Sequence, residues 1–251
     1  MVVYSLVMIG VLLALWQLIA ASGRVPAYFL PTPLRTWQAF LDIATHGYRG
    51  HTLFEHVGAS LGRVLLAFAG STLLGVPIGL LVGSSRRVRA LVTPLLEFYR
   101  PLPPLAYYTL LVIWLGIGDL SKVTLLLLAG LPPVIIATAG AVGGLRPDFI
   151  HGARSLGATR WQVFRYVVLP GCLPEIFTGL RVSIGFIYTT LVAAEMVAGV
   201  NGLGWLVLDA SKFLQSDVIF VGIFLMGLTG LLLDAILRTI ERLAVPWRGR
   251  V

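Results

Sequence analysis

The chain has 251 residues, of which 57% are hydrophobic and 12% charged, and its mean hydropathy of +0.91 excludes an ordinary water-soluble domain. Six membrane helices of about 20 residues each would use roughly half of it and leave no room for a large extramembrane domain. The single cysteine, Cys172, excludes an intrachain disulfide, and the formal net charge of +8 has to be read against the two sides of a membrane before it is read as affinity for nucleic acid.

The first uncharged run is Val2 to Gly23. No Lys or Arg precedes it and it exceeds the apolar core of a signal peptide, so it reads as a true span. In the loop that follows, Leu34, Trp37, Leu41 and Ala44 repeat at helical spacing after Pro31 and Pro33, which predicts a short amphipathic helix in the interface. His46, His51 and His56 recur every five residues. That spacing suits neither one helical face nor a strand, so they are read as solvent-exposed rather than as metal ligands. The second span, Val64 to Ser85, carries Gly75, Gly79 and Gly83 on one face, where a neighbouring helix can approach closely.

Pro101, Pro103 and Pro104 fall in the third span, Pro101 to Gly118, and Pro132 and Pro133 in the fourth, Val123 to Leu145. Both helices are expected to kink or break around a central pathway. The longest inner connection runs from Arg146 to Pro170, with Pro147 and Asp148 starting a helix to about Leu156, Gly157 breaking it, and a second piece starting at Thr159. Two further spans, about Pro174 to Gly199 and about Val218 to Leu237, contain Glu175, Arg181, Glu195 and Asp234.

Orientation follows from Lys and Arg, which are retained on the cytoplasmic side. With the N-terminus inside, eleven basic residues lie inside: Arg86, Arg87, Arg89, Arg146, Arg154, Arg160, Arg165, Arg238, Arg242, Arg248 and Arg250. Only Arg24, Arg35, Arg49, Lys122 and Lys212 lie outside, while Arg63, Arg100 and Arg181 fall within or at the edges of spans. Both termini are therefore expected in the cytoplasm.

Charges at membrane depth are costly and face a bundle interior or water. Glu97 and Arg100 are three residues apart and can form an ion pair. Glu195 has no cation near it in sequence, so it either lines a conduit or pairs with Arg100. Glu97, Arg100 and Glu195 are the candidate pathway residues. Arg181 and Asp234 sit near span ends and are read as snorkelling anchors. A phosphate-cradling G-x-x-x-x-G-K-[ST] loop, an H-E-x-x-H pattern and a G-x-S-x-G elbow are all absent, and no histidine falls in a predicted span. The chain is thus expected to be no enzyme, and any ATP chemistry belongs to another subunit.

The inner connection reads His151, Gly152, Ala153, Arg154, Ser155, Leu156, Gly157, Ala158, Thr159, Arg160, Trp161, Gln162, Val163, Phe164, Arg165, Tyr166, Val167, Val168, Leu169, Pro170. It resembles the E-A-A-x3-G-x9-I-x-L-P signature of the permease subunits of ATP-binding-cassette importers. Ala153, Gly157, Val167, Leu169 and Pro170 match that spacing, whereas His151 and Gly152 replace the signature's Glu and first Ala. Leu30 to Pro33, Arg100 to Ala106, Ile113 to Gly118, Leu169 to Pro174 and Leu191 to Glu195 are similar to the nitrate, sulfonate and taurine group of those permeases. Within the group, Glu97 to Pro101, Pro174 to Arg181 and Pro246-Trp247 are most similar to the taurine-carrying members.

The resemblance implies an all-α membrane protein of about six transmembrane helices with the type I importer permease fold, in a bacterial inner membrane. It further implies a second permease copy, two cytoplasmic ATPase subunits that carry ATP and Mg, an extracytoplasmic solute-binding protein, and no nucleic-acid partner. Residues 1–57 would hold the first helix and outer loop, 58–240 the transmembrane core with a coupling element at 147–170, and 241–251 a cytoplasmic tail. His151 to Trp161 and Arg165 would contact the ATPase. The function implied is ATP-driven import of a small sulfonate such as taurine, by alternating access coupled to the separate ATPase subunits; a nitrate or other alkyl-sulfonate or small-anion permease of the same importer class, and a stand-alone secondary transporter or channel, are the alternatives.

Overall fold

The computed structural model describes residues 2–23 and 25–247; Arg24, Arg248 and Arg250, which entered the charge count, lie outside them. Among the described residues, regular structure is helical, with one isolated bridge between Tyr48 and His51. In chain order the helices are α1 (Val2–Ala21), α2 (Pro33–His46), α3 (Leu53–Ser84), α4 (Arg86–Tyr99), α5 (Pro104–Leu115), α6 (Asp119–Gly143), α7 (Pro147–Ser155), α8 (Arg160–Val163), α9 (Leu169–Ala198), α10 (Leu203–Lys212) and α11 (Ser216–Ala244). A single π-helical turn, Phe164–Val168, joins α8 to α9. Among the described residues, four helical stretches are long and apolar enough to cross a membrane, namely Leu53–Ser84, Asp119–Gly143, Arg160–Ala198 and Ser216–Ala244, and Val7–Ala21 and Pro104–Leu115 are shorter apolar helices.

Several boundaries differ from the sequence expectation for identifiable reasons. The uncharged run of the second span begins at Val64, after Arg63, yet α3 starts eleven residues earlier, at Leu53. Thr52 and Glu55 cap it reciprocally, the Glu55 amide donating to Thr52 Oγ1 (3.2 Å) and the Thr52 amide to Glu55 Oε2 (2.8 Å). Arg63 does not end the helix, because its buried guanidinium lies 2.8 Å from Asp119. The third predicted span is broken outright: α4 ends at Tyr99 and α5 begins only at Pro104. With 12 residues, α5 rises about 18 Å, short of the roughly 30 Å hydrocarbon layer. Pro132 and Pro133, in contrast, lie inside an unbroken α6. Helices α4 and α10 were both expected as connections. Ser85 caps α4 by accepting from the Val88 amide, and α10 follows Gly202.

Met1–Leu61 and Val192–Thr229 form one compact unit. The amphipathic helix expected after Pro33 is α2, capped by Thr32 and burying Thr36 and Ile43. Its core joins Ile43, Tyr48 and Leu53 to Leu206, Ala210, Val218 and Val221. Trp16 donates to the Pro31 carbonyl (2.9 Å) and stacks on Phe220 at 5.3 Å. Tyr48 donates to Asp209 (3.0 Å), and burial together with that carboxylate pushes its phenol upward, so it stays a donor. His56 is fully buried here, which corrects the expectation of a solvent-exposed histidine.

Gly62–Leu191 and Gly230–Val251 form the second unit, whose core includes Val134, Ala141, Cys172, Ile176 and Leu180. The glycine stripe of α3 packs on α6. A Cβ at Gly75, Gly79 or Gly83 would lie 2.8, 2.5 or 2.5 Å from side-chain atoms of Val134, Thr138 or Val142. At Gly79 it would also meet the Ile135 carbonyl oxygen at 2.8 Å, which a side-chain rotation cannot relieve. Apolar surface supplies little drive between helices in lipid, so contact at this range is what holds the pair. Gly79→Ala is therefore expected to cost about 1–3 kcal/mol and to lower the melting temperature of the purified protein. Gly62→Ala in the same helix, where a Cβ meets nothing within 4 Å, should leave it unchanged.

Candidate functional site

The element from Pro147 to Val168 is built by local chemistry. Helix α7 ends in a Schellman arrangement: Gly157 sits at φ +83°, its amide donates to the Arg154 carbonyl (2.9 Å), and the Ala158 amide donates to the Ala153 carbonyl (3.1 Å). Thr159 then opens α8 with a capping box, its hydroxyl accepting from the Gln162 amide (3.3 Å) while Gln162 Oε1 accepts from the Thr159 amide (2.7 Å). Helix–glycine–helix is the order expected from the sequence. Through the π turn the second piece runs without interruption into α9.

Its surface is exposed and mixed. Leu156 is 91% exposed, Trp161 and Tyr166 are also open, and among them stand His151, Arg154, Arg160 and Arg165. Gly152, Ser155, Gly157 and Thr159 are exposed, whereas Ala153 and Ala158 are half-buried. Trp161 leans on Phe164 at 5.6 Å, and Val163 is buried and anchors the turn. Large apolar groups and cations are thus exposed side by side on this element.

The break between α4 and α5 positions Arg100. It borders a cavity of about 370 Å³ lined by Tyr99, Tyr107, Pro132, Pro133, Thr178 and Phe186 among others, in which it is the one charged residue among the described residues. It also borders a second cavity of about 340 Å³, shared with Arg89, Thr93 and Glu97. The hydroxyls of Tyr99 and Tyr107 are hydrogen-bonded at the mouth of the break. Glu97 and Arg100 are both exposed, and the ion pair that their spacing allows is not formed. Prolines at 132 and 133 leave carbonyls of the preceding turn without amide donors, so this wall offers acceptors as well as apolar surface.

Glu195, the third candidate pathway residue, is held by side-chain and backbone donors of its own unit. It is fully buried and accepts from Ser60 Oγ (2.8 and 2.9 Å) and from the Gly204 amide (2.9 Å). Ser60 Oγ in turn accepts from the Leu203 amide (2.9 Å), and the Gly202 amide donates to His56 Nδ1 (3.2 Å). With Nδ1 accepting, His56 is the tautomer whose Nε2–H faces the Tyr48 carbonyl at 3.4 Å, and its ring stacks on Trp205. Gly202 lies at φ +113°, and a Cβ there would come within 2.4 Å of the Glu195 carboxylate. The carboxylate thus clamps the turn that ends α9 and starts α10.

Ser60, which donates to Glu195, and His56, which accepts from the Gly202 amide, were missed; their i, i+4 spacing on one helical face and the Gly199, Gly202, Gly204 cluster were the available signals. Of the other charges in the last two predicted spans, Glu175 is exposed, whereas Arg181 and Asp234 pair with each other. Arg181 binds Asp234 at 2.9 Å, and Arg238 binds the same carboxylate. Lys122, expected in an outer connection, is buried beside Asp119 at 3.8 Å because α6 already begins at Asp119. Among the described residues, no cluster of three or more His, Cys, Asp or Glu could hold a metal.

Residues 75–246 match the model of a family described as binding-protein-dependent transport system inner membrane component. The chain is 42% identical over its whole length to the taurine transport system permease protein TauC of Escherichia coli K12, covering 91% of that protein. It is 34% identical to the putative aliphatic sulfonates transport permease protein SsuC of Bacillus subtilis 168, over 98% of this chain and 87% of that one. Against the nitrate import permease protein NrtB of Leptolyngbya laminosa the figures are 30%, 94% and 85%. In fold it is similar to a chain of the MetNI methionine ABC transporter solved in inward facing conformations, with a TM-score of 0.67 at 19% identity, over 76% of this chain and 95% of that one.

Proposed function

The chain belongs to the family of binding-protein-dependent transport system inner membrane components, and from that premise we propose that it is the permease of an ATP-driven importer for a small sulfonate such as taurine. It is an inner-membrane permease of the taurine, sulfonate and nitrate group. We place six crossings in it with both termini in the cytoplasm, α4 and α5 together making the third. Two copies would pair, each resting on a cytoplasmic ATPase subunit that carries ATP and Mg, and a solute-binding protein would deliver cargo to the outer face.

The observation that carries the reading is the continuity of the exposed element at Pro147–Val168 with α9. A capped, glycine-stopped unit has no slack within it, so displacement of His151 to Trp161 and Arg165 by a closing ATPase dimer is delivered to α9. Helix α9 contributes Thr178, Gly179, Val182 and Phe186 to the cavity beside Arg100. Movement there changes the walls of the space through which the anion passes, which is the alternation between inward and outward access. Arg100 supplies the fork of donors that a tetrahedral sulfonate accepts from, and Glu97, which lines the second cavity with it, supplies a carboxylate for the ammonium end of a zwitterion.

Uptake of labelled taurine, an alkyl sulfonate and nitrate by the assembled complex tests the substrate. Taurine uptake is expected to exceed the other two; nitrate uptake above both would assign the complex to the nitrate carriers. Arg100→Gln is expected to lower sulfonate uptake by about tenfold or more, the loss of a charge-assisted bidentate contact, with basal ATP hydrolysis retained. Unchanged uptake would remove Arg100 from the pathway.

A further inference from the structure

Helix α11 has 29 residues, about 43 Å of rise, against a hydrocarbon layer of about 30 Å. With Ser216 at one face of that layer, its other face falls near Ile236, so Arg238 and Arg242 stand in the headgroup layer. Arg181, bonded to Asp234, belongs to the same depth. At this level a cavity of about 340 Å³ is lined by Arg181, Arg238, Glu241, Arg242, Val245 and Pro246.

Two features of the cavity point to a ligand. Three guanidinium groups meet two carboxylates, Asp234 and Glu241, and Asp234 is already shared by Arg181 and Arg238. Arg242 is exposed and enters no ion pair among the described residues, which leaves a positive charge in excess. On the same stripe of α11, at helical spacing, stand Leu231, Ala235, Arg238 and Arg242, all exposed. This face changes from apolar to basic at the depth where a lipid changes from acyl chain to phosphate. A basic pocket between membrane helices at the interface is suited to an anionic headgroup.

We propose that this cavity binds the phosphate of an anionic phospholipid, with Arg242 and Arg238 donating to it and the acyl chain lying along Ala235 and Leu231. Arginine suits the task because its planar fork matches phosphate oxygens and stays charged at any physiological pH. Arg242 is the group to alter, since Arg238 also holds Asp234 and its loss would disturb the fold.

The test uses the delipidated permease–ATPase complex in detergent, titrated with dioleoyl phosphatidylglycerol or dioleoyl phosphatidylcholine and read by native mass spectrometry. Phosphatidylglycerol is expected to bind about tenfold tighter than phosphatidylcholine. Arg242→Gln should erase that preference and Arg242→Lys should keep most of it, with phosphatidylcholine binding the same in all three. Equal affinity for the two lipids, or an Arg242→Gln complex that binds phosphatidylglycerol like the parent, overturns the proposal. Displacement of phosphatidylglycerol by millimolar inorganic phosphate would overturn the lipid source and assign the cavity to a free anion.

Discussion

Gly157→Val is expected to abolish solute uptake while ATP hydrolysis by the assembled complex continues. A Cβ at this position would meet nothing within 4 Å, so the change is not a matter of space. It acts through the backbone: φ is +83°, a conformation that costs an ordinary L-residue about 1–2 kcal/mol and a β-branched one more. Relief comes by abandoning the left-handed turn, which breaks the Gly157–Arg154 and Ala158–Ala153 hydrogen bonds and frees α7 from α8. The two pieces then move independently and force from the ATPase is lost before it reaches α9. Gly157→Asn, whose side chain tolerates this region, should retain much of the uptake. Measuring uptake and hydrolysis together in both variants decides it, and normal uptake by Gly157→Val would end the coupling assignment.

Glu195→Ala should remove most of the folded permease from the membrane. The carboxylate is fully buried, and its loss leaves the Gly204 amide and the Ser60 hydroxyl without their acceptor in a dry interior. Each unsatisfied group costs about 1–3 kcal/mol, and the space vacated against Gly202 adds a cavity term. Glu195→Gln keeps an oxygen for the Gly204 amide and the volume, so it is expected to fold with a smaller loss. Comparing melting temperatures of the purified variants separates a clamp from a conduit: a residue that only lined a water-filled path would leave stability nearly unchanged on truncation to alanine.

What could be read from the sequence was what local pattern encodes. Helix α2 followed from the spacing of Leu34, Trp37, Leu41 and Ala44, the α7–Gly157–α8 unit from Pro147, Gly157 and Thr159, and the close α3–α6 packing from Gly75, Gly79 and Gly83. Pairing across long separations was hidden. Arg63 looked like a helix boundary because its partner Asp119 is 56 residues away, and Glu195 looked like a lone charge because Ser60 is 135 residues away. Adjacent prolines pointed the same way at two places where the outcomes differ. At 101–104 the chain breaks, whereas at 132 and 133 close contact with α3 and α9, through Gly75 on Val134 and Gly179 on Ala137, keeps α6 whole.

Under the proposed function, this chain moves a small sulfonate only when an ATPase drives it. Proteoliposomes holding this permease with its ATPase subunits, supplied with the solute-binding protein outside and ATP inside, should accumulate labelled taurine. Omitting ATP, the ATPase or the binding protein should each reduce uptake to background. Taurine accumulation by this chain alone, at a rate untouched by ATP, would contradict ATP-driven import and identify a stand-alone carrier.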